Sequence, residues 1–187
     1  MPRQFKYPEF SDPQVRPRYT GIPTFLRAPY QEDPEGLDIA LVGVPFDGGV
    51  TNRTGARHGP REIRNQSSLI RKINQATGLN PYESCRIADV GDAWVEGPFE
   101  LEKSLDEIEG CFREIHDAGV VPVSAGGDHS VMLPIFRALA KQRPVGMVHF
   151  DAHCDTGDDY LGSKFHHGAP FRRAVELKRA GDHLASR

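Results

Sequence analysis

The chain has 187 residues, a formal net charge of -3 and no apolar run near the ~20 residues that a bilayer span needs. With both signs of charge spread along it, neither a nucleic-acid footprint nor a membrane-binding patch is expected, and 38% apolar residues are enough for the core of one domain. Cys85, Cys111 and Cys154 form no CxxC pair, and MPRQFKYPEFSDP lacks the apolar centre of a signal peptide, so a reduced, cytoplasmic protein is expected.

Residues 1–37 are rich in Pro, Arg and aromatics with little periodicity, and read as an irregular arm ahead of a domain over 38–187. Four short apolar runs follow: DIALVGV (38–44), RIADVG (86–91), VVPVSAGG (120–127) and VGMVHFDA (145–152). Each is strand-sized and nearly continuous, the pattern of strands buried on both faces. Helical patterns alternate with them. GPREIRNQSSLIRKI (59–73) places Pro at a first-turn position. ELEKSLDEIEGCFREIHDAG (100–119) sets Leu101, Leu105, Ile108, Phe112 and Ile115 on one face and closes at Gly119. SVMLPIFRALAKQ (130–142) contains a Pro that only its first turns can tolerate, and HGAPFRRAVELKRAG (167–181) ends at a Gly. Strands alternating with helices predict βαβ units, hence an α/β fold with a parallel sheet and helices on both faces.

Ligands of such sheets bind beyond the carboxyl ends of the strands. Two of those ends carry chemistry. In Gly126-Gly127-Asp128-His129-Ser130 the glycines permit a tight turn, Asp128 or Ser130 can cap the next helix, and His129 stands at the mouth of the sheet. On pattern alone His129 is equally a metal ligand or an incidental histidine of a capped turn. In Asp151-Ala152-His153-Cys154-Asp155 an extended backbone would turn Asp151, His153 and Asp155 to one side and Ala152 and Cys154 to the other. Two carboxylates and an imidazole at the end of a buried strand need a partner, either a divalent cation or arginines. A set of His and carboxylates suits manganese, zinc or iron, and more than one potential bridging carboxylate favours a dinuclear site. His149 and His153 lie four apart, but the HExxH metalloprotease motif needs Glu where Phe150 stands. His166-His167-Gly168 follows a polar loop; a histidine there suits proton transfer beside a metal-bound nucleophile, or is simply a loop histidine.

GVPFDGGVTNRTGARHGPREIR (43–64), AGGDHS (125–130), HFDAHCDT (149–156) and KFHHGAPFRRAVE (164–176) resemble the arginase–agmatinase ureohydrolase family, its agmatinase branch best, from about residue 17 onward. The resemblance implies a three-layer α/β/α fold around a parallel sheet and a pair of manganese ions as cofactor. It implies His129 and Asp155 as ligands of one manganese, His153 as a ligand of the other, Asp151 as a bridge between them, and His167 as the acid/base or proton-shuttle residue. His166 has no such match. The implied reaction is attack of a metal-bridging hydroxide on a small guanidino substrate: agmatine, giving putrescine and urea, or alternatively guanidinobutyrate or guanidinopropionate. A homo-oligomer is expected for a full-length version. The arginine-rich stretch 53–64 is expected to be structural.

The family pattern also includes a later SxDxDxxDP segment that supplies two further carboxylates, and strands that interleave with the early ones. Neither occurs in residues 1–187. The expectation is a fragment, a truncated product or a degenerate member, inactive alone and weak toward manganese. A non-catalytic, partner-binding remnant is the alternative of another class. A zinc deacetylase on a related fold is disfavoured by the intact GGDHS and DAHCD motifs.

Overall fold

The structure, a computed structural model, describes residue 14 and residues 17–177. Most of the N-terminal arm before residue 17, and the expected helical residues beyond 177, lie outside the described residues.

Strands β1 (Ile39–Val44), β2 (Ile87–Asp92) and β3 (Val121–Gly126) form a parallel sheet in the order β2-β1-β3. Among the described residues the helices are α1 (Gly59–Gln66), α2 (Pro81–Ser84), α3 (Leu101–Asp117), α4 (Met132–Leu139) and α5 (Pro170–Leu177). β1 is apolar throughout because both its faces are covered. Ala40, Val42 and Val44 share one core with Leu105, Ile108 and Phe112 of α3 and with Leu133 and Ala138 of α4. Leu41 turns the other way, onto Phe25 and Ala28 of the N-terminal segment, while α1 packs on β1 and β3. The result is an α/β fold with layers on both sides of a parallel sheet.

The apolar face of α3 lies where its periodicity puts it: Leu105, Ile108, Phe112 and Ile115 are all buried. Pro134 falls in the first turn of α4, where its missing N–H removes no helix bond. A short 3-10 turn, His129–Val131, precedes that helix. α1 stops earlier than the expected 59–73. Ser67 Oγ lies 3.2 Å from the Arg64 carbonyl and accepts the Leu26 N–H at 2.9 Å, so the chain leaves the helix through a 3-10 turn, Ser67–Leu69. From its last residue onward Leu69, Ile70 and Ile73 are exposed.

The fourth apolar run is not a strand. Residues 144–151 have no ladder partner, and Val148 and Phe150 are 83% and 94% exposed. A buried-strand pattern needs neighbours on both edges to satisfy its backbone. Among the described residues β3 pairs with β1 alone. Its other side is open, with Val121 and Val123 exposed. The opposite edge differs: Asp89 of β2 exchanges backbone bonds with the N-terminal segment, Asp89 N–H to Pro29 O at 2.8 Å and Gln31 N–H to Asp89 O at 3.0 Å.

Arginines of the 53–64 stretch hold this framework. Arg64 donates to both oxygens of buried Asp89 (2.8 and 3.0 Å), to Asp92 and to the Gly91 carbonyl, and its guanidinium lies 4.0 Å above the Phe25 ring. Arg57 pairs with buried Asp47. Arg64 thus ties α1 to β2, and Arg57 ties the 56–58 turn to the loop after β1.

Candidate metal and catalytic site

The carboxyl end of β3 sets the first half of the site. Gly127 follows the strand so closely to its neighbour that an added Cβ would lie 1.7 Å from the Phe46 carbonyl oxygen. Asp128 then caps the turn: one carboxylate oxygen accepts the Ser130 N–H at 2.7 Å and the other the Gly49 N–H at 2.8 Å. His129, next in line, packs the edge of its ring on Phe171 of α5, with centroids 5.3 Å apart.

The second half is a loop. Asp151 Oδ1 accepts the N–H of His153 at 3.0 Å, which bends the chain and ends the alternation an extended segment would have. Asp155 has a positive φ of 46°. His153 is therefore not turned inward beside the two aspartates: its side chain is 82% exposed, with Nδ1 3.8 Å from Asp151 Oδ1. Cys154, expected to face away, lines the same cavity as its neighbours. The loop is pinned at its far end. Phe171 N–H donates to Asp155 O at 3.3 Å, and Gly157 N–H to Gly168 O at 2.8 Å.

These pieces line an open cavity of about 500 Å³, with His129, Asp151, His153, Cys154, Asp155 and His167 on its walls. His129 Nδ1 is hydrogen-bonded to Asp155 Oδ2 and lies 3.7 Å from Asp151 Oδ2. The His153 N–H is the main influence holding the Asp151 carboxyl below its ordinary range, against a smaller opposing effect of burial. Asp151 is thus an anion offered to the cavity. Two carboxylates converging on one imidazole nitrogen at an open space are a donor set that fits a divalent cation. His167 lies across the cavity. Its N–H and its Nδ1 each approach the Gly49 carbonyl at 3.0 Å. A carbonyl only accepts, so Nδ1 carries the proton and Nε2 is the nitrogen left for exchange. His166 is spent on the loop itself, with Nε2 2.8 Å from the Asp158 carbonyl and Nδ1 accepting the Gly168 N–H at 3.2 Å.

The arginase family profile matches residues 37–185. The chain belongs to the arginase family. It is 56% identical over 171 residues to the guanidinopropionase of Pseudomonas aeruginosa, covering 91% of this chain and 54% of that protein. It is 46% identical over 174 residues to the mitochondrial agmatinase of Gallus gallus, covering 92% of this chain and 50% of that protein. Among solved structures, proclavaminate amidinohydrolase from Streptomyces clavuligerus superimposes with a TM-score of 0.82 at 37% identity, over 87% of this chain and 54% of that one. Formiminoglutamase from Trypanosoma cruzi, solved with manganese, superimposes with a TM-score of 0.68 at 26% identity, over 78% of this chain and 49% of that one. The chain spans about half the length of the relatives it matches. The α/β fold with a parallel sheet is thus an arginase-family fold, in part.

One residue of the candidate site escaped the sequence reading. His149, considered there only for a metalloprotease motif, sits with His129 and Asp151 so that potential ligand atoms of all three lie within 4.8 Å of one another. Its signal was present in the spacing: it stands two residues before Asp151, on the same side of an extended chain.

Proposed function

We propose that this chain carries the first part of a manganese-dependent guanidino-hydrolase centre, releasing urea and an amine from a small guanidino substrate. The observation that carries the reading is the convergence of His129, Asp151, Asp155 and His167 on one cavity, from segments up to 38 positions apart. His129, Asp151 and Asp155 would hold metal, with His153 brought in by rotation of its exposed side chain. Manganese bound there would supply a hydroxide at neutral pH and polarise the guanidinium carbon. The chain's own residues do the rest. The Asp155 carboxylate orients the His129 ring through Nδ1. His153 N–H keeps Asp151 ionised and aimed at the cavity. His167, held through Nδ1–H by the Gly49 carbonyl, presents a bare Nε2 that would take the proton of the attacking water and pass it to the leaving amine.

The resemblance of residues 164–176 to agmatinases favours agmatine as substrate. The higher identity to the guanidinopropionase than to the agmatinase, 56% against 46%, supports a guanidino acid instead. Urea release from agmatine, 3-guanidinopropionate, 4-guanidinobutyrate and arginine, with manganese and with chelator, decides between them. The assay is run on the chain and on the longest reading frame that encodes it. Chelator-sensitive release from a guanidino acid or agmatine is expected. Arginine as the best substrate, or release indifferent to chelator, overturns the reading.

A further inference from the structure

His149 belongs to no role so far described, yet its ring is closely packed at the centre. Its ring is met edge-on by Phe171, with centroids 4.5 Å apart at 64°, and stacks on His129 at 5.5 Å and 28°. Its Nε2 is buried and has no hydrogen-bond partner. The nearest acceptor to that nitrogen is Asp151 Oδ2, at 3.4 Å. The other oxygen of the same carboxylate is already engaged by the His153 N–H. A buried N–H without a partner is unfavourable, and a carboxylate that must hold a cation is itself held by groups behind it.

We infer that His149 is a positioning residue for Asp151: its Nε2–H donates to Oδ2 and, together with the His153 N–H on Oδ1, fixes where the carboxylate points. This rests on the metal-centre reading above and deepens it. A ligand role for His149 fits the geometry less well. Imidazole lone pairs lie in the ring plane, and two stacked rings inclined by only 28° hold them in nearly parallel planes that converge poorly on one ion. Among the described residues the charged and polar groups that face His149 are Asp151 and His129, and of these the Asp151 carboxylate is the acceptor near Nε2.

The test has two arms. In the native chain, long-range nitrogen–proton correlation spectra of the histidine rings report the tautomer: the inference expects His149 as the Nε2–H form, and an Nδ1–H form overturns it. Manganese titration followed by electron paramagnetic resonance is then compared across His149→Phe, His149→Gln and Asp151→Asn. His149→Phe is expected to lower affinity about 10–100-fold, as removal of a supporting hydrogen bond does, and His149→Gln to recover most of it because its amide can donate. Equal affinity in native and His149→Phe proteins, or no recovery with Gln, overturns the inference. The Asp151→Asn arm separates the two levels. If it binds manganese as the native chain does, the metal-centre reading fails; if it loses manganese while His149→Phe does not, only the role of His149 fails.

Discussion

The two sides of β3 are built differently. Toward β1 the chain is close-packed: a strand paired along its whole length, a helix with an unbroken buried face, and a covered outer edge at β2. Beyond β3 the chain from residue 144 to 169 has no regular ladder and exposes Val148 and Phe150. Yet four of the five candidate site residues sit on the irregular side. Position there is set by a few specific bonds, at His153 N–H, Phe171 N–H and the Gly49 carbonyl, rather than by a buried sheet. A site can therefore be assembled by side-chain and turn chemistry where packing supplies little.

The sharpest way to break this comparison is at His167. In a form that turns over substrate, His167→Ala is expected to lower the rate about 10²–10⁴-fold with manganese content intact, and His166→Ala much less, since His166 serves the loop. Steady-state urea release with metal analysis checks both, and the reverse ranking refutes the assignment. Stability should divide the same way. Phe112→Ala in the packed half is expected to cost about 3–5 kcal/mol by denaturant unfolding, and Phe150→Ser less than about 0.5 kcal/mol. Equal costs would show that the 145–150 run is buried in solution. Arg64→Ala, which strips buried Asp89 of its partner, should cost about 3–5 kcal/mol in the same assay.

Smaller effects sharpen the contrast. Burial pushes the Cys111 thiol up to about 11, whereas Cys154 is exposed and its thiol is drawn below the ordinary range by the Thr156 hydroxyl. Alkylation mapped by mass spectrometry should modify Cys154 first and Cys111 last. Acid should act on the packed side through Asp47. Burial opposes its ionisation, but the Arg57 side chain and the N–H groups of Gly55 and Arg57 prevail and hold it down to about 2. A depressed folded value means the contribution is fully present above the unfolded value of roughly 4 and is lost as pH falls through the folded one. The stability difference between native protein and Asp47→Asn should be constant above about pH 5 and shrink toward about pH 2.

Much of the packed side was legible. IALVGV announced a doubly covered strand, the spacing of Leu105, Ile108, Phe112 and Ile115 gave α3 its buried face, and Pro134 marked where α4 begins. The 145–150 run misled because periodicity reports what a segment could bury, not whether a partner strand is there to pair with it. The orientation of His153 was hidden for another reason. One side-chain hydrogen bond from Asp151 converts an extended run into a bend, and the letters D-A-H-C-D do not distinguish the two. α1 ended early because Ser67 competes for its own backbone, and α2 is too short to leave a period.

Gly49 gives N–H to Asp128 and carbonyl to His167, so one peptide-bearing residue is shared by the turn that carries His129 and the turn that carries His167. A side chain there would come within 2.7 Å of Ser130 Oγ. Changes at 49, 128 and 167 should then be strongly non-additive, with Gly49→Ala already including much of what the other two remove. On the proposed reading, any campaign that varies this loop to retune the substrate will shift cation retention and proton delivery together, and must repair both turns to keep either.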